Sequence, residues 1–284
     1  MMMLPLLRSD VYRLVRSTYF WVVTVVSVAI CVGIALMGAM LDEGAGAGRT
    51  WPTHVDMLSD TLLSVGLLSI FVAILSVRIA SEDVERGFVK NLFAGRPRRT
   101  VYYMEKLTLI AVAALWLMAV NIAVMESAFA LMGYRYVKPE PWGGTVLYVA
   151  LMALGTFALG AVTAAITWLI RSRAFAMTAG VLVAMGTVSS VLGVVAGLLS
   201  SKAPWLFAVQ QSMLTSALSD LGRQPGNLFI TLGVGGPTGL LPDLSGSAPT
   251  WGWPLWVYAL FHFVLWIVLA TGVTLLTNRR RDMC

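Results

Sequence analysis

Long apolar runs separated by short polar stretches dominate the chain, and several of the runs are apolar on every side of a helical wheel. Six have the length that a bilayer core of about 30 Å demands of a helix: residues 19–40, 58–80, 107–132, 145–170, 174–200 and 253–277. A backbone in lipid finds no water to bond, so each run must satisfy its own peptide groups as a helix. The alternating apolar and polar segments of a membrane barrel are absent. The pattern predicts an all-α integral membrane protein, a single domain over 1–284 with six transmembrane helices.

Composition agrees with that pattern. Hydrophobic residues make up 58% and charged residues 12% of the chain, against about 25% charged in soluble domains, and the mean hydropathy is +0.81. The first run could be mistaken for a signal peptide, but about 22 residues exceed a secretory h-region. It is expected to remain as the first span. Before it, Leu7, Val11 and Leu14 recur at i, i+4, i+7, with Arg8, Arg13 and Arg16 elsewhere on the wheel. Residues 1–17 therefore predict a short helix lying along the inner membrane surface; the plainer alternative is a basic flank to the first span.

The basic residues set the orientation. With the N-terminus inside, the inner side holds Arg8, Arg13, Arg16, Arg78, Arg86, Lys90, Arg96, Arg98, Arg99, Lys106, Arg171, Arg173, Arg279, Arg280 and Arg281, which is 15 of the 20. The outer side keeps Arg49, Arg135, Lys138, Lys202 and Arg223. The positive-inside rule then predicts both termini in the cytoplasm. Topology and anionic headgroups account for the net charge of +6, so no nucleic-acid partner is implied. Cys31 lies in the first run and Cys284 ends the chain, so a disulfide framework is not expected. His54 and His262 are far apart in sequence and belong to no metal motif, and no directly bound cofactor or metal is expected.

Residues 201–252 form a long outer segment. Its first part, "APWLFAVQQSMLTSALSDLG", spaces Trp205, Val209, Met213 and Ala217 at i, i+4 and predicts a short helix against the outer surface. A Gly/Pro-rich loop follows, and Trp251, Trp253 and Trp256 mark the outer headgroup level. "GVGGPTG" has no Lys and opens no helix after a strand, so it is not a phosphate loop.

Against this background residues 81–107, "SEDVERGFVKNLFAGRPRRTVYYMEKL", stand apart, with 10 of 27 residues charged. Val84, Phe88, Val89, Leu92 and Phe93 gather on one side of a wheel, interrupted by Glu85, while Arg86, Lys90 and Asn91 occupy the other. Gly95 and Pro97 then break the helix. Residues 81–106 would be a sizeable cytoplasmic loop whose short amphipathic helix offers an apolar ridge to a groove and charges to fix register. The alternative is a solvated basic loop that only enforces topology.

The loop also carries a resemblance. Glu85-x-Gly87, Lys90-Asn91, Gly95, Arg99, Tyr103 and Lys106 resemble the pattern of ABC-2-type permeases, the membrane subunits of export-class ABC transporters. The "G-x-x-K-N" portion, Gly87 to Asn91, is similar to that of the lantibiotic-immunity and bacitracin-resistance permeases. The resemblance implies that Glu85, Arg86, Gly87, Phe88, Val89, Lys90, Asn91, Leu92 and Phe93 form a coupling helix that docks on a cytosolic ABC ATPase subunit. Phe88 and Leu92 would be the apolar anchors, with Arg86 and Lys90 setting orientation. Arg98, Arg99 and Lys106 are expected to serve topology and lipid-headgroup contact. No G-x-x-x-x-G-K-[ST] occurs in the chain, so ATP and Mg belong to the partner ATPase and the chain itself is not expected to be an enzyme. The implied assembly pairs two permeases, identical or related, in a bacterial cell membrane and exports a hydrophobic or amphipathic peptide or drug-like substrate.

Polar residues inside spans default to function. Asn121 and Glu126 in the third span are the candidates for a substrate path or gate. Glu126 lies about 28 Å beyond Leu107 by helical rise, near the outer headgroups where a carboxylate is cheap. Asn121 lies deeper and has the alternative of bonding a neighbouring helix. Gly155 and Gly160 are five apart, which is no GxxxG ridge, and with Gly180 and Gly186 they favour close helix contact. An intramembrane enzyme would need a reactive motif such as HExxH or GxSxG, and none is present. A secondary transporter would call for discontinuous charged spans. A non-transporting sensor or receptor subunit, or an exporter of lipid or a small drug, stays as the alternative.

Overall fold

The computed structural model of the chain describes residues 3–44, 49–63, 66–85, 99–138, 142–170, 172–199, 202–203, 205–223 and 254–280. These residues are almost all helical. α1 (Met3–Arg16) and α2 (Thr18–Gly44) meet at Ser17, whose amide donates to the Leu14 carbonyl at 3.0 Å. The apolar stripe of α1, Leu7, Val11 and Leu14, packs against the protein core. α2 carries no charge until Asp42, as a helix crossing hydrocarbon requires.

The second expected span, 58–80, is not one straight rod. β1 (Thr50–Trp51) leads into α3 (His54–Leu58), capped where the Thr53 hydroxyl accepts from the Asp56 amide at 3.1 Å. A π-helical turn, Ser59–Leu63, follows, and α4 (Leu67–Glu85) then sets off at 56°. Gly66, at φ +66°, precedes α4. A side chain there would meet the left-handed penalty, which glycine avoids.

α5 (Arg99–Leu131) runs 33 residues without a break, about 50 Å at 1.5 Å per residue. It begins eight residues before the apolar run expected at 107, because Tyr102, Tyr103, Glu105 and Lys106 are buried against neighbours. Gly133 ends it at φ +80°, and the Tyr134 amide reaches back to the Phe129 carbonyl at 3.0 Å, the usual way to satisfy the last carbonyls of a helix. β2 (Arg135–Tyr136) then lies parallel to β1, with Thr50 opposite Arg135 and Trp51 opposite Tyr136.

α6 (Trp142–Ile170) is the central helix, with 61% of its apolar window inside the protein. Its two spaced glycines serve different neighbours, since five residues turn a helix by about 140°. A Cβ on Gly155 would fall 2.3 Å from Leu218 Cδ1 and 2.8 Å from Phe263 Cζ. One on Gly160 would fall 2.7 Å from Ile110 Cγ2 and 2.9 Å from Ser76 Oγ. Close helix contact within the chain thus explains both.

The fifth expected span, 174–200, is two helices, α7 (Arg173–Ala184) and α8 (Thr187–Leu198), bent by 58°. Gly186 takes φ +71° at the break, its amide donating to the Val183 carbonyl at 3.0 Å. The outer segment contributes α9 (Trp205–Gln211) and α10 (Leu214–Arg223), and α11 (Leu255–Arg280) closes the bundle. Among the described residues four helices are long and apolar enough to cross a membrane, or up to six if each bent pair is one span. The protein is thus a helical bundle suited to a membrane.

Candidate functional site

Polar side chains cluster at three levels of this bundle. The first level is where α1, the end of α4 and the start of α5 converge, at the stems of the charged loop. Lys106 is only 3% exposed, and its ammonium donates to the Asp10 carboxylate on α1. Arg13, one turn on, donates to the same carboxylate at 3.3 Å and reaches Glu82 on α4 at 3.8 Å. The Lys106 ammonium also lies 5.5 Å from the Tyr102 ring centroid, and Arg78 sits 5.4 Å from that of Tyr19 on α2. A half-open cleft of about 20 Å³ lies among Asp10, Arg13, Glu82 and Lys106, with Leu14, Ile79 and Leu109 as its apolar walls. That is room for about one water molecule.

This arrangement corrects the expectation that Lys106 touches headgroups. A buried ammonium is costly unless it is paired, and Asp10 pairs it from another helix. Nearby, Trp168 on α6 donates to the Ala80 carbonyl at 3.2 Å and meets Tyr103 edge to face at 4.9 Å. Both stems of the loop are therefore fastened to the bundle, α4 through Glu82 and Ala80, α5 through Lys106 and Tyr103. The expected coupling-helix residues Arg86, Gly87, Phe88, Val89, Lys90, Asn91, Leu92 and Phe93 lie outside the described residues, as does Arg98. Glu85 is the last residue of α4.

The second level is Asn121, 2% exposed on α5. Its amide oxygen accepts from the Cys31 thiol at 2.9 Å and the Ser27 hydroxyl at 3.3 Å, both on α2. Its amide nitrogen donates to the Leu117 carbonyl at 2.7 Å and faces Ser27 Oγ at 3.2 Å. The amide is spent joining α2 to α5, a bond for which lipid offers no competitor.

The third level is the far end of α5. Glu126 is half-buried there, with His54 Nδ1 at 3.0 Å from one oxygen and the Tyr136 hydroxyl donating to the other at 2.8 Å. The His54 and Tyr136 rings stack at 3.5 Å, held in place by the β1–β2 pair. Beside them Trp51 packs on Phe129 and Tyr134, and Arg49 donates to the Met132 carbonyl at 2.7 Å. Tyr134 bonds Asp42 at the end of α2 at 2.5 Å. Burial first, then that hydrogen bond and the carboxylate charge, push the Tyr134 hydroxyl up to about 12. Sequence reasoning found Glu126 but not its partners His54 and Tyr136, which lie on separate polar connectors.

The outer segment departs from expectation. The helix expected along the outer surface is broken at Ser212 and Met213, and α10 buries Leu214, Ala217, Leu218 and Leu221 inside the bundle. The bared carbonyls at the break have donors: Tyr258 OH to Gln211 at 2.6 Å and Trp266 Nε1 to Ser212 at 2.9 Å. Tyr258 and Trp266 stand about 4 and 16 Å along α11 from its start, so the break lies against this helix. Irregular backbone packed on protein needs protein partners, and these two side chains supply them. Ser189 of α8 bonds Ser216 of α10, tying the two broken elements together. His262, 1% exposed on α11, donates its ring N–H to the Tyr258 carbonyl at 2.8 Å. Residues 224–252, including the expected Gly/Pro-rich loop and Trp251, lie outside the described residues.

A scan against protein-family models finds no match, and a search of curated proteins finds none.

Proposed function

We propose that the chain is the membrane subunit of an ATP-driven exporter of the ABC-2 permease type. In this reading it has six spans with both termini in the cytoplasm of a bacterial cell, and it works as one of two permeases. The cargo is a hydrophobic or amphipathic peptide or antibiotic, moved outward from the cytoplasm or the membrane. ATP and Mg are handled by separate cytosolic ATPase subunits, which dock on residues 85–93.

The observation that supports it most is the clasp at the loop stems. A force applied to the loop by a docked motor has to reach the spans to be useful. Asp10, Arg13, Glu82 and Lys106 link α1, α4 and α5 directly behind the loop, so those helices would respond together. The breaks at Gly66 and Gly186 give the bundle places to bend between an inward-open and an outward-open form. Asn121 in this reading fastens α2 to α5, and Glu126 closes the outer end.

The test is purification of the intact complex in mild detergent, with its subunits identified and counted. Two permeases with two ABC-type ATPases are expected. A sensor kinase in their place, or no partner at any detergent strength, sinks the reading.

A further inference from the structure

The structure divides the three arginines of α1 between two tasks. Arg13 turns toward Asp10 and Glu82, while Leu7, Val11 and Leu14 pack on the core. That leaves an outward face on which Arg8 and Arg16 are exposed, with Tyr12 57% and Val15 47% exposed between them. These four recur at i, i+4, i+7 and i+8, so they form one strip. The helix's single acidic residue, Asp10, is turned away from the strip into the clasp. The Arg16 guanidinium lies 4.8 Å from the Tyr12 ring centroid, which keeps its charge on the outward side.

The membrane level of this strip follows from its neighbour. Trp21, 44% exposed in the first turn of α2, donates its indole N–H to the Val15 carbonyl at 2.7 Å. It also packs edge to face on Phe20 and Trp116, at 5.6 and 6.1 Å. Trp rings with a bonded N–H collect at the headgroup boundary, so the end of α1 sits where the hydrocarbon begins. A basic strip with one tyrosine and one valine at that level is complementary to phosphate headgroups.

We propose that the Arg8–Tyr12–Val15–Arg16 strip of α1 is a binding surface for anionic phospholipid headgroups, in the proposed orientation those of the inner leaflet. The two arginines hold phosphate, and Val15 and the Tyr12 ring rest on the upper acyl region. The apolar stripe read from the sequence as the membrane face instead faces protein. The proposal needs α1 at a membrane surface and needs no transport activity.

The experiment places a photo-crosslinking amino acid at Val15 in the full chain. The chain is reconstituted in vesicles of phosphatidylcholine with one part in three phosphatidylglycerol, and adducts are identified by mass spectrometry. Phosphatidylglycerol adducts are expected to exceed the bulk ratio, by about fivefold for each arginine at low salt, and to fall toward it in high salt. The double variant R8Q/R16Q is expected to abolish the excess, and R8E/R16E to invert it. The outer-end variant R135Q leaves it unchanged. Adducts at the bulk ratio, an excess that survives R8Q/R16Q, or adducts to protein in place of lipid each overturn the proposal. Any of these results leaves the co-purification test of the transport reading untouched.

Discussion

Lys106 and Asp10, ninety-six residues apart in sequence, form a buried ion pair that joins α5 to α1. Removing one partner of such a pair costs up to about 3–5 kcal/mol, less where a second partner stays, as Arg13 does for Asp10. Lys106→Met or Asp10→Leu alone is therefore expected to lower the unfolding midpoint in detergent. The double variant D10L/K106M is expected to recover part of the loss, since both charges of the pair go together while Arg13 keeps Glu82. A double variant as unstable as the singles would mean that the pair contributes more than charge compensation.

Asn121 offers a smaller and cleaner measurement. Asn121→Leu removes its bonds to Ser27 and Cys31, for which an interhelical bond within a membrane is worth about 0.6–2 kcal/mol. A melting curve in detergent reads that loss. Export activity that disappears while stability holds would instead give Asn121 a role in the path.

The Tyr134 hydroxyl is expected to ionise near 12 rather than its ordinary 10. The sign follows from the raised value: the folded state holds this proton more tightly, so the contribution is fully present below pH 10. It disappears as pH rises toward 12. An alkaline absorbance titration of wild type against Tyr134→Phe isolates the step. Asp42→Asn is expected to move it only partway back, because burial is the larger cause; a full return to 10 would contradict that ranking.

The two glycine positions in the fifth and fourth expected spans should fail differently. Gly186→Ala forces a side chain into φ +71°, a penalty of about 1–2 kcal/mol that weakens the bend. Gly160→Ala overpacks between Ile110 and Ser76, costing about 1–3 kcal/mol. Pairing G160A with Ser76→Gly is expected to restore part of the latter and nothing of the former.

Phe88 carries the prediction for the loop itself. If the proposed function holds, Phe88→Asp is expected to abolish stimulated hydrolysis by a co-purified ATPase while membrane insertion stays normal. Full coupling in that variant would remove the docking role from residues 85–93.

Much of the bundle was legible because hydrocarbon is a blunt selector. Residue runs such as 19–40 and 145–170 admit no other fold in lipid, and helices cover them. The breaks were harder to see. Gly186 looked like one small residue among several, because a helical wheel does not register a positive φ. Residues 203–222 read as one surface helix because Trp205, Val209, Met213 and Ala217 recur at i, i+4; the Gln211 and Ser212 carbonyl bonds that mark the break depend on a helix more than forty residues away. Asp10 reads as a lone acid in a basic segment, and its partner Lys106 reads as a headgroup contact at the foot of a span. Long-range pairing of this kind has no local signature. Asn121 was the exception, since an amide in mid-span has few choices but another helix.

The uninterrupted length of α5 has a mechanical corollary. Its 33 residues contain no hinge, so the Lys106 end and the Glu126 end swing as one stick. A pivot of about five degrees at Lys106 carries Glu126, about 30 Å along the helix, through about 2.6 Å, enough to part it from His54. News of an event at one end of α5 can arrive at the other by simple rigidity, with no chain of side chains to relay it.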